Sequence, residues 1–241
     1  MIMVTAALIA GLIIAGFAAV SSYYEYHGIG LQTGVFRKAP DNQDRIAALT
    51  FDDGPSLHYT PQILDILAAK QIRATFFLTG QMAEEHPDIA RRIAAEGHEI
   101  GNHTYSHVNM IFLNRLALAD EIDRGHQAIV AATGVAPTLF RPPRGLFNEK
   151  VRTALVGRGY QIILWSVSAA DWGLLSANTI AWRIRHFAHP GAVYLFHDGG
   201  ALIKNNGGKR AKTVAVLPVA IDYLRGQRYS LVTVGEMAAR N

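Results

Sequence analysis

The chain contains no cysteine. Disulfides, thiolate nucleophiles and thiolate metal ligands are therefore excluded together, and any metal must rest on His, Asp or Glu. The absence leaves the compartment open, because an exported protein can do without disulfides. No run of five or six Lys or Arg residues occurs, and the formal net charge is only +4. Nucleic-acid binding thus has no electrostatic footprint, and the mild positive balance is at most a weak attraction to an anionic membrane or wall. No feature of the sequence points to a protein partner. Charge is missing altogether from the first twenty residues, MIMVTAALIAGLIIAGFAAV. A helix of that length spans a hydrocarbon core of about 30 Å. Residues 1–22 read as an uncleaved single-pass anchor, with signal cleavage between Ala18 and Ser21 as the alternative. Residues 23–44 then form a polar tether with interfacial aromatics. In either case the working domain, residues 45–241, is expected outside the cytoplasm, with the membrane as the partner of the N-terminal helix.

From Ile46 onward, short apolar runs alternate with longer amphipathic segments, the pattern of a parallel sheet with crossover helices. The expected strands are IAALTF, ATFFLT, HEIGN, TLFR, IILWSV, AVYLF and SLVTV. Thr60 and Pro61 open one helix as N-cap and first-turn pair, and a longer helix runs from Asn114 to Ala132 and stops at Gly134. Further helices begin near Asn148, Ala177 and Thr213. Seven strand and helix units in 241 residues predict a single (β/α) barrel domain, distorted or incomplete because eight strands close the standard form. A doubly wound open sheet is the alternative, and both architectures put functional residues at the C-terminal ends of strands.

The chemistry-bearing residues cluster at such places. Asp52 and Asp53 follow the first strand, NHTYSH the third, RPPRG the fourth, SAADW the fifth and HDGG the sixth. His103 and His107 are four residues apart, so both rings reach one ion from a helical turn or a tight loop. With a carboxylate they make a set that leaves positions open for water and substrate, as a catalytic divalent site requires. The neighbouring acids Asp52 and Asp53 stand at a strand end, where successive side chains point to opposite faces. Their roles should differ: one acid on the metal, the other taking a proton from water.

This combination resembles the polysaccharide deacetylases of carbohydrate esterase family four, the group sharing the nodulation-protein deacetylase homology domain, over residues 45–234. TFDDGP is similar to the first motif of that family, which implies that Asp52 is the general base and Asp53 a metal ligand. HTYSH resembles the second, implying His103 and His107 as the other ligands. RPPRG resembles the third, with Arg141 orienting the base, the backbone N–H of Arg144 facing the oxyanion, and Pro143 at the substrate. The pair Asp171 and Trp172 resembles the end of the fourth: the acid tunes a catalytic histidine and the indole lines the groove. LFH resembles the fifth, with Leu195 against the acetyl methyl and His197 as general acid. Arg144 stands where an aromatic side chain is common, which puts groove preference in question, and Ser168 stands where an acid often begins the fourth motif. The resemblance implies one divalent ion, zinc first, with cobalt, nickel and manganese as alternatives. It implies hydrolysis of N-acetyl groups on an N-acetylglucosamine polysaccharide such as peptidoglycan or a chitin-like glycan. An O-acetyl xylan esterase, a small-amide amidohydrolase and a non-catalytic glycan-binding module are the alternatives. His58, His98, His126, His186 and His189 are expected to be structural.

Overall fold

The computed structural model describes residues 34–40, 45–200 and 210–240. The apolar run read as an anchor or signal lies outside them. Among the described residues no helix is long and apolar enough to cross a membrane.

Nine parallel strands make one sheet: β1 (Val35–Phe36), β2 (Ile46–Asp52), β3 (Thr75–Leu78), β4 (Glu99–Asn102), β5 (Leu139–Phe140), β6 (Gln161–Ile163), β7 (Val167–Ser168), β8 (Ala192–His197) and β9 (Ser230–Val232). The order is β1-β6-β5-β4-β3-β2-β8-β7, with β9 paired to the first half of β2. From β2 to β6, consecutive strands are neighbours in one direction without the reversal that defines a doubly wound sheet. Beyond β8 the sheet curls. Lys38, just past β1, forms an antiparallel bridge to Ala192, and Ala39 N–H donates to Gly191 O at 2.9 Å. Both edges therefore approach β8, giving a curled (β/α) half-barrel.

The helices are α1 (Thr60–Ala69), α2 (Gly80–Glu85), α3 (Pro87–Ala95), α4 (Arg115–Thr133), α5 (Glu149–Val156), α6 (Ala177–His186), α7 (Ala211–Gly226) and α8 (Val234–Ala238). Asn114 and Asn148 cap α4 and α5 by accepting from Ala117 N–H and Val151 N–H, and Gly134 ends α4 at φ 73°. Thr60 departs from its expected role. Tyr59 holds the cap position of α1 while the buried Thr60 hydroxyl donates to Asp198 Oδ2 at 2.6 Å, a tertiary partner that a local reading does not supply.

Every residue of β2 is buried, as expected for a parallel strand covered on both faces. Its side chains divide by alternation. Leu49 and Phe51 join Tyr194 and Phe196 in a core under α1, α6 and α7, while Ile46 and Ala48 join Val193, Leu195 and Phe77 in a second core. Thr50, Asp52, Leu195 and His197 continue this second face toward the strand ends, and Asp52 is the register partner of His197.

Seven strands were expected and nine are present among the described residues. The run IILWSV is two strands, because the chain leaves β5 after Ile163 and crosses to β8, where Ser166 N–H donates to Val193 O at 3.0 Å. The other addition is β1, which lies in the stretch read as tether and pairs with β6.

Candidate active site

The loops after the strand ends meet above β2 and β8. Asp52 is the last residue of β2, and Asp53 leaves the strand in the left-handed region at φ 75°, which Asp tolerates better than most residues. That turn cancels the pleat. The two acids, expected to face apart, both approach one ring: His103 Nε2 lies 3.4 Å from Asp53 Oδ1 and 3.8 Å from Asp52 Oδ2.

The segment HTYSH is a tight loop with left-handed Thr104 and His107. Glu121 of α4 anchors it, accepting from Ser106 N–H at 2.9 Å and from the Ser106 hydroxyl at 2.7 Å. Gly125, in the middle of the same helix, makes this approach feasible. A Cβ there would stand 2.8 Å from Asn102 Oδ1 and from the Thr104 carbonyl carbon.

Asp53, His103 and His107 offer one ligand atom each, all within 4.8 Å of one another. His107 Nε2 is 3.2 Å from Asp53 Oδ1, and that buried oxygen has no hydrogen-bond partner among the described residues. His103 Nδ1 lies 2.6 Å from the Arg141 carbonyl. A carbonyl only accepts, so Nδ1 carries a proton, and Nε2 is the ring atom left to bind a cation beside Asp53. Burial pushes His107 down to about 4, with the fields of His103, Arg144 and His197 adding to it against that of Asp53, so its ring is neutral. Burial works against charge on Asp53, but the close imidazole of His103 and the fields of His197 and His107 hold it far below the usual carboxylate range. Two imidazoles and one anionic oxygen, the latter buried without a partner among the described residues, fit a divalent cation.

Asp52 is tied to Arg141. The guanidinium is fully buried, gives Asp52 Oδ1 a bond of 2.6 Å, reaches Thr50 Oγ1 at 2.8 Å and Leu164 O at 3.1 Å, and lies over the Phe77 ring. His197 Nδ1 is 2.7 Å from Asp171 Oδ1, and Asp171 Oδ2 accepts from His197 N–H and from the Thr213 hydroxyl at 2.6 Å. Burial favours the neutral His197 ring, but Asp171 outweighs it through its charge and hydrogen bond, helped by Asp53 and Asp52, and the ring is raised to about 9. The imidazolium is therefore the resting form at neutral pH.

Of the expected groove residues, Trp172 is exposed, Leu195 is buried two residues before His197, and Pro143 is buried next to Arg144. Arg144 is exposed with left-handed backbone at φ 58°, and its charge is felt at His107. Ser168 is buried and its hydroxyl accepts from Ala170 N–H at 3.1 Å, holding the loop that carries Asp171. His98 accepts from Ala74 N–H, and His126 pairs with the Tyr160 hydroxyl.

Three participants escaped the sequence reading. Asp198 lies behind Gly54, where a Cβ would stand 2.1 Å from its Oδ2, and burial raises its carboxyl to about 7, with the Thr60 hydrogen bond opposing and the charge of Asp53 adding. Arg210 and Thr213 come from the start of α7, far along the chain, where they look like ordinary helix-opening residues. The one signal for Asp198 was its place in HDGG, directly after His197.

Residues 39–163 match the family model for polysaccharide deacetylase. A peptidoglycan-N-acetylglucosamine deacetylase of Bacillus cereus is 38% identical over 198 residues, covering 82% of this chain and 70% of its own length. The crystal structure of the Bc1960 peptidoglycan N-acetylglucosamine deacetylase is similar with a TM-score of 0.78 at 37% identity, covering 85% of this chain and 92% of that one. BA3943 of Bacillus anthracis, a CE4 family pseudoenzyme, is also similar, with a TM-score of 0.77 at 28% identity over 86% of this chain and 69% of that one. Likeness of fold therefore leaves turnover to the side chains at the site. The model match over half of the chain and the identity shared with the Bacillus cereus protein establish the lineage: this chain belongs to the polysaccharide deacetylase family.

Proposed function

We propose that the chain hydrolyses the acetamide of N-acetylglucosamine residues in a polysaccharide, with peptidoglycan as the first substrate, releasing acetate and leaving a free amine on the sugar. The observation that carries this reading is the convergence of Asp53, His103 and His107 within 4.8 Å, beside the Asp52–Arg141 and His197–Asp171 pairs. Those three ligands would hold one divalent ion, zinc first because the set is two imidazoles and one carboxylate, although cobalt, nickel or manganese also suit it. When bound, such an ion supplies Lewis acidity that polarises the acetyl carbonyl and acidifies an attacking water.

The protein groups divide the remaining work. Asp52 takes the proton of the water as its oxygen bonds to the acetyl carbon, and Arg141 fixes that carboxylate in place. The backbone N–H of Arg144 donates to the oxyanion that forms. His197, resting as imidazolium, gives its Nε2 proton to the sugar nitrogen as the C–N bond breaks, so that an amine leaves in place of an amide anion. Asp171 holds the ring by Nδ1 and stabilises its charge. Trp172 offers an exposed apolar face to a sugar ring, while Leu195 and Pro143 line the acetyl end of the groove.

The uncharged residues 1–20 support a place outside the cytoplasm, anchored in the cell membrane or secreted after cleavage. The cell wall is then the nearest N-acetylated glycan. Acetate release from peptidoglycan, chitin oligomers and acetylated xylan by the zinc-loaded protein tests the reading. Release from peptidoglycan is expected. Release from xylan alone would make the enzyme an O-acetyl esterase, and saturable glycan binding without any release would make it a binding module.

A further inference from the structure

Asp53 turns Oδ1 to the two histidines, and its other oxygen faces a cation. Arg210 Nη2 lies 3.7 Å from Asp53 Oδ2. Arg210 is nearly fully buried at the entry to α7, and its Nε donates to Gly199 O at 2.5 Å, fastening the guanidinium to the segment that follows His197. One helical turn further on, Thr213 is wholly buried and gives its hydroxyl proton to Asp171 Oδ2 at 2.6 Å. The first turn of α7 thus touches both halves of the site, the ligand Asp53 and the Asp171–His197 pair.

A guanidinium this close to a cation site calls for a reason, because its charge alone opposes a bound dication. What it adds is direction. Its donors form a rigid planar fork, and a carboxylate whose outer oxygen faces that fork keeps the inner oxygen aimed at the ligand pocket. Groups that orient metal ligands in this way are commonly worth about 10–100-fold in metal affinity. The hydroxyl of Thr213 does the corresponding work for Asp171, whose Oδ1 must stay in line with His197 Nδ1.

We propose that Arg210 and Thr213 are positioning residues. Arg210 holds Asp53 as a one-oxygen ligand, and Thr213 holds Asp171 in line behind the general acid, so that the entry turn of α7 sets the two halves of the site independently. This rests on the reading of Asp53, His103 and His107 as a metal site.

Zinc affinity, measured by competition with a chromogenic chelator, separates the two roles when combined with kcat and KM for acetate release. Arg210→Gln is expected to weaken zinc binding by about 10–100-fold, and Arg210→Lys, which keeps the charge but not the fork, to fall between it and the wild type. Thr213→Val is expected to bind zinc like the wild type, to lose kcat with KM unchanged, and to be rescued by Thr213→Ser. Zinc binding by Arg210→Gln as tight as or tighter than wild type would overturn the role of Arg210. If that variant does not fold, wild-type affinity in Arg210→Lys would overturn it instead. Unchanged kcat in Thr213→Val, or zinc affinity lost with it, would overturn the role of Thr213. A wild-type protein that binds no stoichiometric zinc would overturn the metal reading itself, which is a different failure.

Discussion

The carbonyl oxygen of Arg141 lies 2.6 Å from Nδ1 of His103, while the guanidinium of the same residue holds Asp52 at 2.6 Å. One residue therefore holds His103, a proposed metal ligand, through its backbone and Asp52, the proposed base, through its side chain. Only the second function should respond to substitution. Arg141→Lys keeps the backbone bond and a charge but loses the fork that reaches Asp52, Thr50 and Leu164. Removing one partner of a buried ion pair costs about 3–5 kcal/mol, and Lys should lose a smaller part of that. The expected outcome is a lower Tm and a fall in kcat of at least about tenfold, with zinc affinity nearly unchanged. Chelator competition and thermal unfolding check it.

As the proposed general acid, His197 should set the alkaline limit of activity. Its pKa in the folded protein is raised to about 9 because Asp171, at 2.7 Å, favours the imidazolium more than burial disfavours it. A general acid must be protonated to act, so kcat/KM should fall above about pH 9. Asp171→Asn should bring that limb down toward the ordinary value near 6.5. The stability sign follows from the same shift. The group contributes fully below pH 6.5 and its contribution disappears as pH rises through about 9. Denaturant unfolding of the metal-free protein across pH 6 to 10 should show the loss, and Asp171→Asn should flatten it.

Gly125→Ala sets two effects against each other. Alanine gains about 1 kcal/mol of helix propensity over glycine. Its methyl would stand 2.8 Å from Asn102 Oδ1 and the Thr104 carbonyl carbon, and overpacking of that kind costs about 1–3 kcal/mol. The contact with Thr104 is with backbone and so cannot be relieved by a rotamer change. We expect net destabilisation together with weaker zinc binding, because the displaced loop carries His103 and His107. A variant as stable as wild type would show that the loop yields.

Arg144 is expected to act through its backbone, so its side chain should be replaceable. Arg144→Asn keeps a residue that accepts the left-handed conformation at φ 58°. Its kcat should stay within a few-fold of wild type while KM for long glycans shifts, since the exposed side chain stands where the groove wall is expected. A proline at this position would remove the N–H and cannot adopt the conformation.

Much of this was legible in sequence because β/α folds place polar residues in the loops after buried strands. The seven apolar runs each became strand, and the residues that follow them came together. What escaped had no local signature. The pleat predicts that Asp52 and Asp53 point apart, and the left-handed turn at Asp53 brings both to His103 instead. Val35–Phe36 is too short to show periodicity and becomes strand only because β6 offers it an edge. Thr60 has the composition of a cap, but its hydroxyl is taken by Asp198, 138 residues away. Arg210 and Thr213 reach Asp53 and Asp171 only because α7 returns to the rim after β8.

In the proposed mechanism Asp52 takes the proton from water beside a metal held by Asp53, His103 and His107. Acetate release from N-acetylglucosamine oligomers or peptidoglycan, measured for the zinc-loaded wild type, the chelated protein and Asp52→Asn, tests it most directly. The loaded wild type should release acetate, lose that activity on chelation and recover it with zinc. In Asp52→Asn release should fall by about 10²–10⁴-fold with zinc still bound. Release that persists in Asp52→Asn, or that ignores the chelator, would contradict the mechanism.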